Sequence, residues 1–275
     1  MLAQRHRPAL PDQLLDRLVW VLALVLLIGV PAFAIFYWVD RHPDPGPSMV
    51  ERTVVAAEEA VRQAPSDLAA RNRLAAAYVS AGRYDDGITQ FGEALVLSPD
   101  NRAALLGRGI AYRLSDRLDL ALADFERLVT VSAGGEMAGM DPQLQQAYYE
   151  IGLIDLKQGR PAEAVTALES ALRIDSTDAD SLYEYGSALI ETGEASRGIE
   201  ALQRAVAFVP SGWCEPYYRM VDGYTALADA PGAAYANGMV AFCEGRLDTA
   251  KQQLAPLTSG AYRIDAWLGL ALTSA

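Results

Sequence analysis

The sequence predicts an all-α chain, a solenoid of helical hairpins preceded by one N-terminal transmembrane helix. A spacing of 34 residues brings Tyr78 back as Tyr112, Phe91 as Phe125, Gly152 as Gly186, Leu168 as Leu202 and Ala171 as Ala205. Repetition at this period marks a stacked array, in which each helical hairpin buries its apolar face only against its neighbours. Residues 18–39 carry no ionisable side chain except Tyr37, and a helix of that length rises about 33 Å, enough to cross a hydrocarbon core. The chain has 275 residues, 51% of them hydrophobic, which is ample for a core.

Residues 1–17 form an N-terminal segment that precedes the membrane helix of 18–39. Trp20 lies near one end of that helix and Tyr37 and Trp38 near the other, where amphipathic rings favour the headgroup layer. Pro31 is expected to kink it. Arg5, Arg7 and Arg17 precede the segment, whereas Arg41 and Arg52 follow it. The positive-inside rule then places the N-terminus in the cytoplasm and the array outside. A cleaved signal peptide is the rival reading: 18–30 is a fair apolar region and Ala32-Phe33-Ala34 has the small-x-small cleavage form. Retention is preferred because 35–39 stays apolar beyond that site. Either reading puts the array outside the cytoplasm.

Residues 40–48 read DRHPDPGPS. Alternating prolines favour extended polyproline II, a semi-rigid spacer of up to ~28 Å. The solenoid occupies 49–275. Arginines and aspartates balance over residues 1–47, so the net charge of −12 sits in the repeats. An acidic array without basic runs has no electrostatic footprint for nucleic acid.

Within the array, small residues belong where two helix backbones cross, aromatic and leucine positions at helical spacing form the seam, and proline stops the second helix. Residues 68–101 supply Leu74, Ala75, Tyr78, Gly87, Phe91, Ala94 and Pro99, and 102–135 supply Leu105, Gly109, Tyr112, Ala121 and Phe125. After an interruption of nine residues, 136–144, the unit 145–178 gives Tyr148, Ile151, Gly152, Ala164, Leu168 and Ala171. The next, 179–212, gives Leu182, Tyr185, Gly186, Gly198, Leu202, Ala205 and Pro210. Gly82, Gly159, Gly193 and Gly245 fall between paired helices, where a left-handed residue ends the first helix. Asp116 takes that place in the second unit and should be strained.

This pattern resembles the tetratricopeptide repeat family, in its membrane-anchored bacterial form, and the resemblance implies a right-handed solenoid. Residues 49–64 followed by Pro65 look like a lone second-type helix capping the start, with Ala57 and Ala60 on the family's spacing. After residue 212 two groupings compete. Gly238, Gly245, Ala250, Leu254 and Leu257 fit a fifth unit from Pro231. Strict alternation instead pairs 215–228 with 233–243 and 247–257 with 263–273, and is the grouping favoured on geometry. Trp267, Leu268 and Gly269 resemble the start of a further first helix.

In this family the concave face is lined by the first helix of each hairpin. The resemblance therefore implies a partner-binding groove at Asn72, Leu106, Tyr149 and Tyr183, with Tyr235 if the fifth unit holds. Arg113, Lys157 and Glu191 lie further along the same helices. Aromatic residues with a few charges suit an extended peptide or an amphipathic helix. The alternative is that these tyrosines simply pack on the neighbouring repeat. The clamp that holds chaperone C-terminal tails is missing, since its first-unit positions are Asn72 and Ala76.

Cys214 and Cys243 flank one proposed hairpin nearly equidistantly, so antiparallel packing brings them together. Outside the cytoplasm this permits a disulfide, worth roughly 3 kcal/mol in the chain-entropy description. Two buried reduced thiols are the other possibility. Histidine occurs only as His6 and His42, and there is no C-x-x-C, phosphate loop or nucleophile elbow. No enzyme activity, metal, cofactor or small-molecule substrate is expected.

The reading that follows is a membrane-anchored scaffold or adaptor that binds a partner protein segment in the groove, in assembly of an envelope or membrane complex. The alternative is a structural accessory subunit of a membrane complex. By resemblance to bacterial anchored members of the family, cytochrome c maturation is one such setting.

Overall fold

The computed structural model describes residues 12–41, 48–208 and 212–274. Residues 1–11 of the N-terminal segment, 42–47 of the proline-rich spacer and Pro210 lie outside the described residues. The chain divides into two units, Met1–Met49 and Val50–Ala275.

In the first unit, α1 (Asp12–Arg41) is one continuous helix that runs through Pro31. Its stretch Val19–Trp38 is long and apolar enough to cross a membrane, and none of it is buried within the protein. Phe33 stacks on Tyr37 at 6.2 Å, and the Arg41 guanidinium lies 5.1 Å from the Tyr37 ring centre. That places a cation beside an amphipathic ring at the end of the apolar stretch, the arrangement favoured at a headgroup boundary.

Among the described residues of the second unit every regular element is a helix. The unit opens with α2 (Met49–Gln63), on which Val54 is the buried residue. Tyr78 donates its hydroxyl to Glu58 at 2.8 Å, and Arg83 stacks over the Tyr78 ring at 4.2 Å, tying α2 to the first hairpin. Four hairpins follow: α3 (Leu68–Ser80) with α4 (Tyr84–Leu97), α5 (Arg102–Leu114) with α6 (Leu118–Ser132), α7 (Pro142–Lys157) with α8 (Pro161–Ile174), and α9 (Ala179–Glu191) with α10 (Ala195–Phe208). Then come α11 (Glu215–Ala226), α12 (Ala230–Cys243), α13 (Leu247–Leu254) and α14 (Arg263–Leu272).

The hairpins repeat for local reasons. The first helix of each is capped by a short polar side chain that accepts from a backbone N–H of the first turn: Asp67 from Ala69, Asn101 from Ala104, Asp141 from Gln143, and Asp178 from Ser181. Each then ends on a left-handed residue, and the following N–H reaches back to close the turn. Arg83 N donates to Tyr78 O at 2.8 Å, Arg117 to Tyr112 at 2.8 Å, Arg160 to Asp155 at 2.9 Å and Glu194 to Leu189 at 2.7 Å. Gly82, Gly159 and Gly193 hold these turns at φ 73°, 72° and 89°, and Asp116 holds the second at φ 63°. Asp116 is thus in the region an L-residue adopts only at some cost.

The core sits where the paired helices cross. A Cβ at Gly109 would lie 2.6 Å from the Phe125 ring, and one at Gly152 2.6 Å from Leu168. At Gly186 the neighbours are Gly198 O and Leu202 Cγ, both at 2.8 Å. Backbone therefore meets bulky side chain directly, and the partners Phe125, Leu168 and Leu202 are fully buried. Arg108 donates to both oxygens of buried Asp124, at 2.8 and 2.7 Å, bracing α5 against α6.

Within the nine-residue interruption Ala138–Met140 form a short 3₁₀ turn, and only its last three residues, 142–144, lengthen α7. With Asp141 as its cap and Pro142 in the first turn, α7 runs 16 residues where α3, α5 and α9 run 13.

After α10 the strict alternation expected from sequence does not hold. By placement α11 is a first-type helix, since it touches α9 as α9 touches α7. Yet α12 is also capped like a first helix, Asp229 accepting from Gly232 N at 3.0 Å. Its crossing with α13 repeats the earlier ones, a Cβ at Gly238 lying 2.7 Å from Leu254. Both α11–α12 and α12–α13 are joined by the same closed turn, through Ala228 at φ 54° and Gly245 at φ 74°. The frame slips by one helix, so α12 closes one pair and opens the next.

Candidate functional site

First helices also touch the first helices of adjacent pairs, α3 to α5, α5 to α7, α7 to α9 and α9 to α11. The inner surface is therefore built from α3, α5, α7, α9 and α11, because closer approach of one row of helices curves the stack toward that row.

The expected groove residues fall on this row with one exception. Asn72 is half-buried and donates its amide to Asn101 Oδ1 at 3.1 Å, joining the first unit to the cap of the second. Leu106 packs half-buried against the cluster around Phe125 and Leu144. Tyr149 packs on Ala164, Leu168 and Ala188, and Tyr183 on Leu182 and the Trp213 ring, whose centre is 5.3 Å away. The two tyrosines therefore pack on neighbouring helices and keep part of their surface open.

Tyr235 is the exception. It is 9% exposed, lies in the core with Tyr224, Met239 and Leu254, and stacks on Tyr262 at 6.0 Å. The slip of frame at α11 turns its helix position inward, and burial pushes its phenol pKa up.

The charged groove positions bridge adjacent units. Arg113 pairs with Glu150, which is 3% exposed, and Lys157 Nζ lies 2.6 Å from Asp116. Glu191 meets Arg219 at 3.3 Å, and Arg219 also reaches Asp222 at 3.7 Å. Glu150 and Glu184 were not singled out from the sequence, although they occupy the same frame position 34 residues apart. The repeat itself could have found them. Trp213 and Arg219 fall beyond the last regular unit and had no frame to mark them.

Electrostatically, the α7–α9–α11 portion is acidic and partly dry. Burial raises the Tyr149 phenol pKa, with Glu184, Asp180, Glu150 and Asp178 adding to the effect. Burial also raises the carboxyl pKa of Glu184, against the opposing influence of Arg219.

Cys214 and Cys243 are set as a disulfide pair, with Cα atoms 5.8 Å apart, joining the start of α11 to the end of α12. That separation is in the ordinary bridging range. Trp213 directly precedes this link.

The sequence pattern of the tetratricopeptide repeat family matches residues 55–96, 72–136 and 149–212, more than half of the chain. Tetratricopeptide repeat protein 36 of Mus musculus is 35% identical over 96 residues, covering 35% of this chain and 49% of that protein. The tetratricopeptide repeat and J domain-containing co-chaperone DNJ1 of Cryptococcus neoformans is 32% identical over 161 residues, 58% of this chain and 27% of that protein. The chain thus spans about half the length of the first relative and about a quarter of the second. Among solved structures, YrrB, a tetratricopeptide protein with an unusual peptide-binding site, superposes with a TM-score of 0.58 at 18% identity, over 72% of this chain and 96% of its own. PilF of Pseudomonas aeruginosa gives 0.59 at 16% identity, over 81% and 89%. At these identities the likeness is one of fold.

Proposed function

Because the chain belongs to the tetratricopeptide repeat family, a family of protein-interaction scaffolds, we propose that it is a membrane-anchored adaptor. It holds a segment of a partner protein in the groove of α3, α5, α7, α9 and α11. The observation that carries this is the pair Tyr149 and Tyr183, half-buried and so partly accessible on successive first helices. Rigid rings of this kind add contact area at low entropic cost. In this reading Val19–Trp38 is the single-pass anchor, residues 1–17 are cytoplasmic and the array is extracytoplasmic. A disulfide between Cys214 and Cys243 is consistent with that compartment. The setting is assembly of an envelope or membrane complex.

A photo-crosslinker at Tyr149 or Tyr183, in intact membranes, should capture one protein repeatedly, while the same group at Glu200 on α10 captures none. Capture from α1 and Glu200 alone would sink the adaptor reading. A mature N-terminus at Ile35 would remove the anchor.

A second reading, an accessory structural subunit of a membrane complex, draws on α14. Ile264, Trp267 and Leu268 there are 75%, 59% and 61% exposed, an apolar face of the kind that interfaces cover. Replacing 18–39 with an unrelated anchor would release such a subunit from its complex and leave an adaptor working.

A further inference from the structure

The groove is not chemically uniform along its length. On α9, Asp180, Glu184, Ser187 and Glu191 fall at i, i+4, i+7 and i+11, which places them in one stripe. Asp222 of α11 adds a further carboxylate, and Arg219 is the guanidinium near this group. It is shared between Glu191 and Asp222, while Asp180 and Glu184 make no ion pair among the described residues. Ser187 is 3% exposed, and its Oγ has no hydrogen-bond partner. Tyr149 of α7 packs against the cluster that includes Ala188 of α9. Asp180 and Glu184 add to the rise of its phenol pKa, and the phenol itself makes no hydrogen bond among the described residues.

Asp180 is exposed, and Glu184 is half-buried with only the influence of Arg219, already paired elsewhere, to offset its burial. A half-buried carboxylate without an ion pair of its own and a buried hydroxyl without a partner are both costly, and protein interiors rarely leave both unless something else completes them. An open tyrosine ring beside carboxylates accommodates the aliphatic stem and the charged head of a long basic side chain together. Resting on the adaptor reading above, we infer that the α7–α9–α11 part of the groove receives a lysine- or arginine-bearing segment of the partner protein. Its cation meets Asp180 and Glu184 and its stem lies on Tyr149. The net charge of −12 would draw such a segment in from a distance.

The experiment uses the full chain in nanodiscs at about 0.15 M salt, where long-range attraction is screened beyond about 8 Å. Fluorescent octalysine is the probe, with octaglutamate and a serine-glycine octamer beside it. Binding of octalysine alone is expected. The double variant Asp180→Asn, Glu184→Gln should weaken it about tenfold or more, as loss of a close charge partner does. A control of equal charge change on the second-helix row, Glu169→Gln with Glu200→Gln, should weaken it less than about twofold, as rim or remote charges do. Equal weakening by both pairs would mean diffuse attraction to an acidic surface and would overturn the inference. So would absence of octalysine binding, or binding of octaglutamate. Far-UV circular dichroism establishes that each variant is folded, and charge reversal, Asp180→Lys with Glu184→Lys, should transfer binding to octaglutamate. Should groove crosslinks in membranes lead to a partner segment lacking basic residues, the adaptor reading stands and this inference fails. Absence of groove crosslinks with octalysine binding intact fails the adaptor reading instead.

Discussion

Between α3 and α10, helix pairs are closed by an apolar residue seated on or beside a glycine, whereas from α11 onward tyrosines and a cysteine pair take over much of that task. In the first region Phe125 fills the space opened by Gly109, and the unit recurs with Leu168 on Gly152 and Leu202 on Gly186. In the second, Tyr262 donates to Asp229, stacks on Tyr235, and meets Tyr224 edge-on at 5.6 Å. Gln203 of α10 in turn donates to the Tyr224 hydroxyl at 3.1 Å. A repeated crossing needs only the right residue at the right interval. Where the frame slips, no interval is available, and specific polar contacts fix the helices instead. Such contacts are directional, so they specify one arrangement more sharply than apolar burial does.

The sharpest way to break the comparison is to empty one regular crossing. Phe125→Ala removes a fully buried ring and should cost about 3–5 kcal/mol. Because a solenoid couples mainly to nearest neighbours, hydrogen exchange should show protection lost in α5–α8 first and retained in α11–α14. Uniform loss would mean the two regions unfold as one.

Next in size is the covalent link. Cys214→Ser with Cys243→Ser should lower stability by roughly 3 kcal/mol if the bond is closed in the mature protein. The loss should appear as faster exchange in α11 and α12, while α3–α8 stays unchanged. Mass spectrometry of the unreduced chain, two mass units lighter than the reduced one, checks the premise.

The tyrosine contacts are tested by Tyr262→Phe, which keeps the ring and removes the donor to Asp229. A loss of about 1.5–3 kcal/mol, read from urea unfolding, fits a hydrogen bond to a charged acceptor. No change would assign the cohesion of this region to ring stacking alone.

The smallest effect belongs to Glu184. Its folded pKa is raised, so the native state binds the proton more tightly than the unfolded chain does. Its contribution is therefore favourable below the unfolded carboxyl pKa and is lost as pH rises through the folded one. Glu184→Gln should make the array slightly more stable at pH 7 and flatten that part of the pH profile. A fall in stability at pH 7 would show that Arg219 outweighs burial.

The regular hairpins were legible because their determinants are local and periodic. The closing turns follow from Gly82, Gly159 and Gly193, and the odd one at Asp116 was visible as the position where glycine was missing. Ala228 adopts the same left-handed conformation, and nothing in its residue type announces it. The extra turn of α7 was hidden because Asp141 and Pro142, good starting residues for a helix, sit inside the interruption rather than at the expected boundary. The groove was legible as a row of backbone positions, but its charges were not. Arg113 and Glu150 meet across 37 residues, and Arg219 and Glu191 across 28. Such pairs depend on which rotamers adjacent helices present to each other. Tyr235 was misplaced for the same reason the C-terminal grouping was: two first-type helices in succession turn a groove position into a core position.

The double role of α12 also sets how this molecule can change length. An additional copy of 145–178 inserted after residue 178 would meet a matching crossing on both sides, so the array is extensible there. From α11 to α13 the crossings no longer recur at that interval, so the same unit inserted there would not meet a matching crossing on both sides. Growth by whole units is therefore open upstream of α11 and blocked within α11–α13.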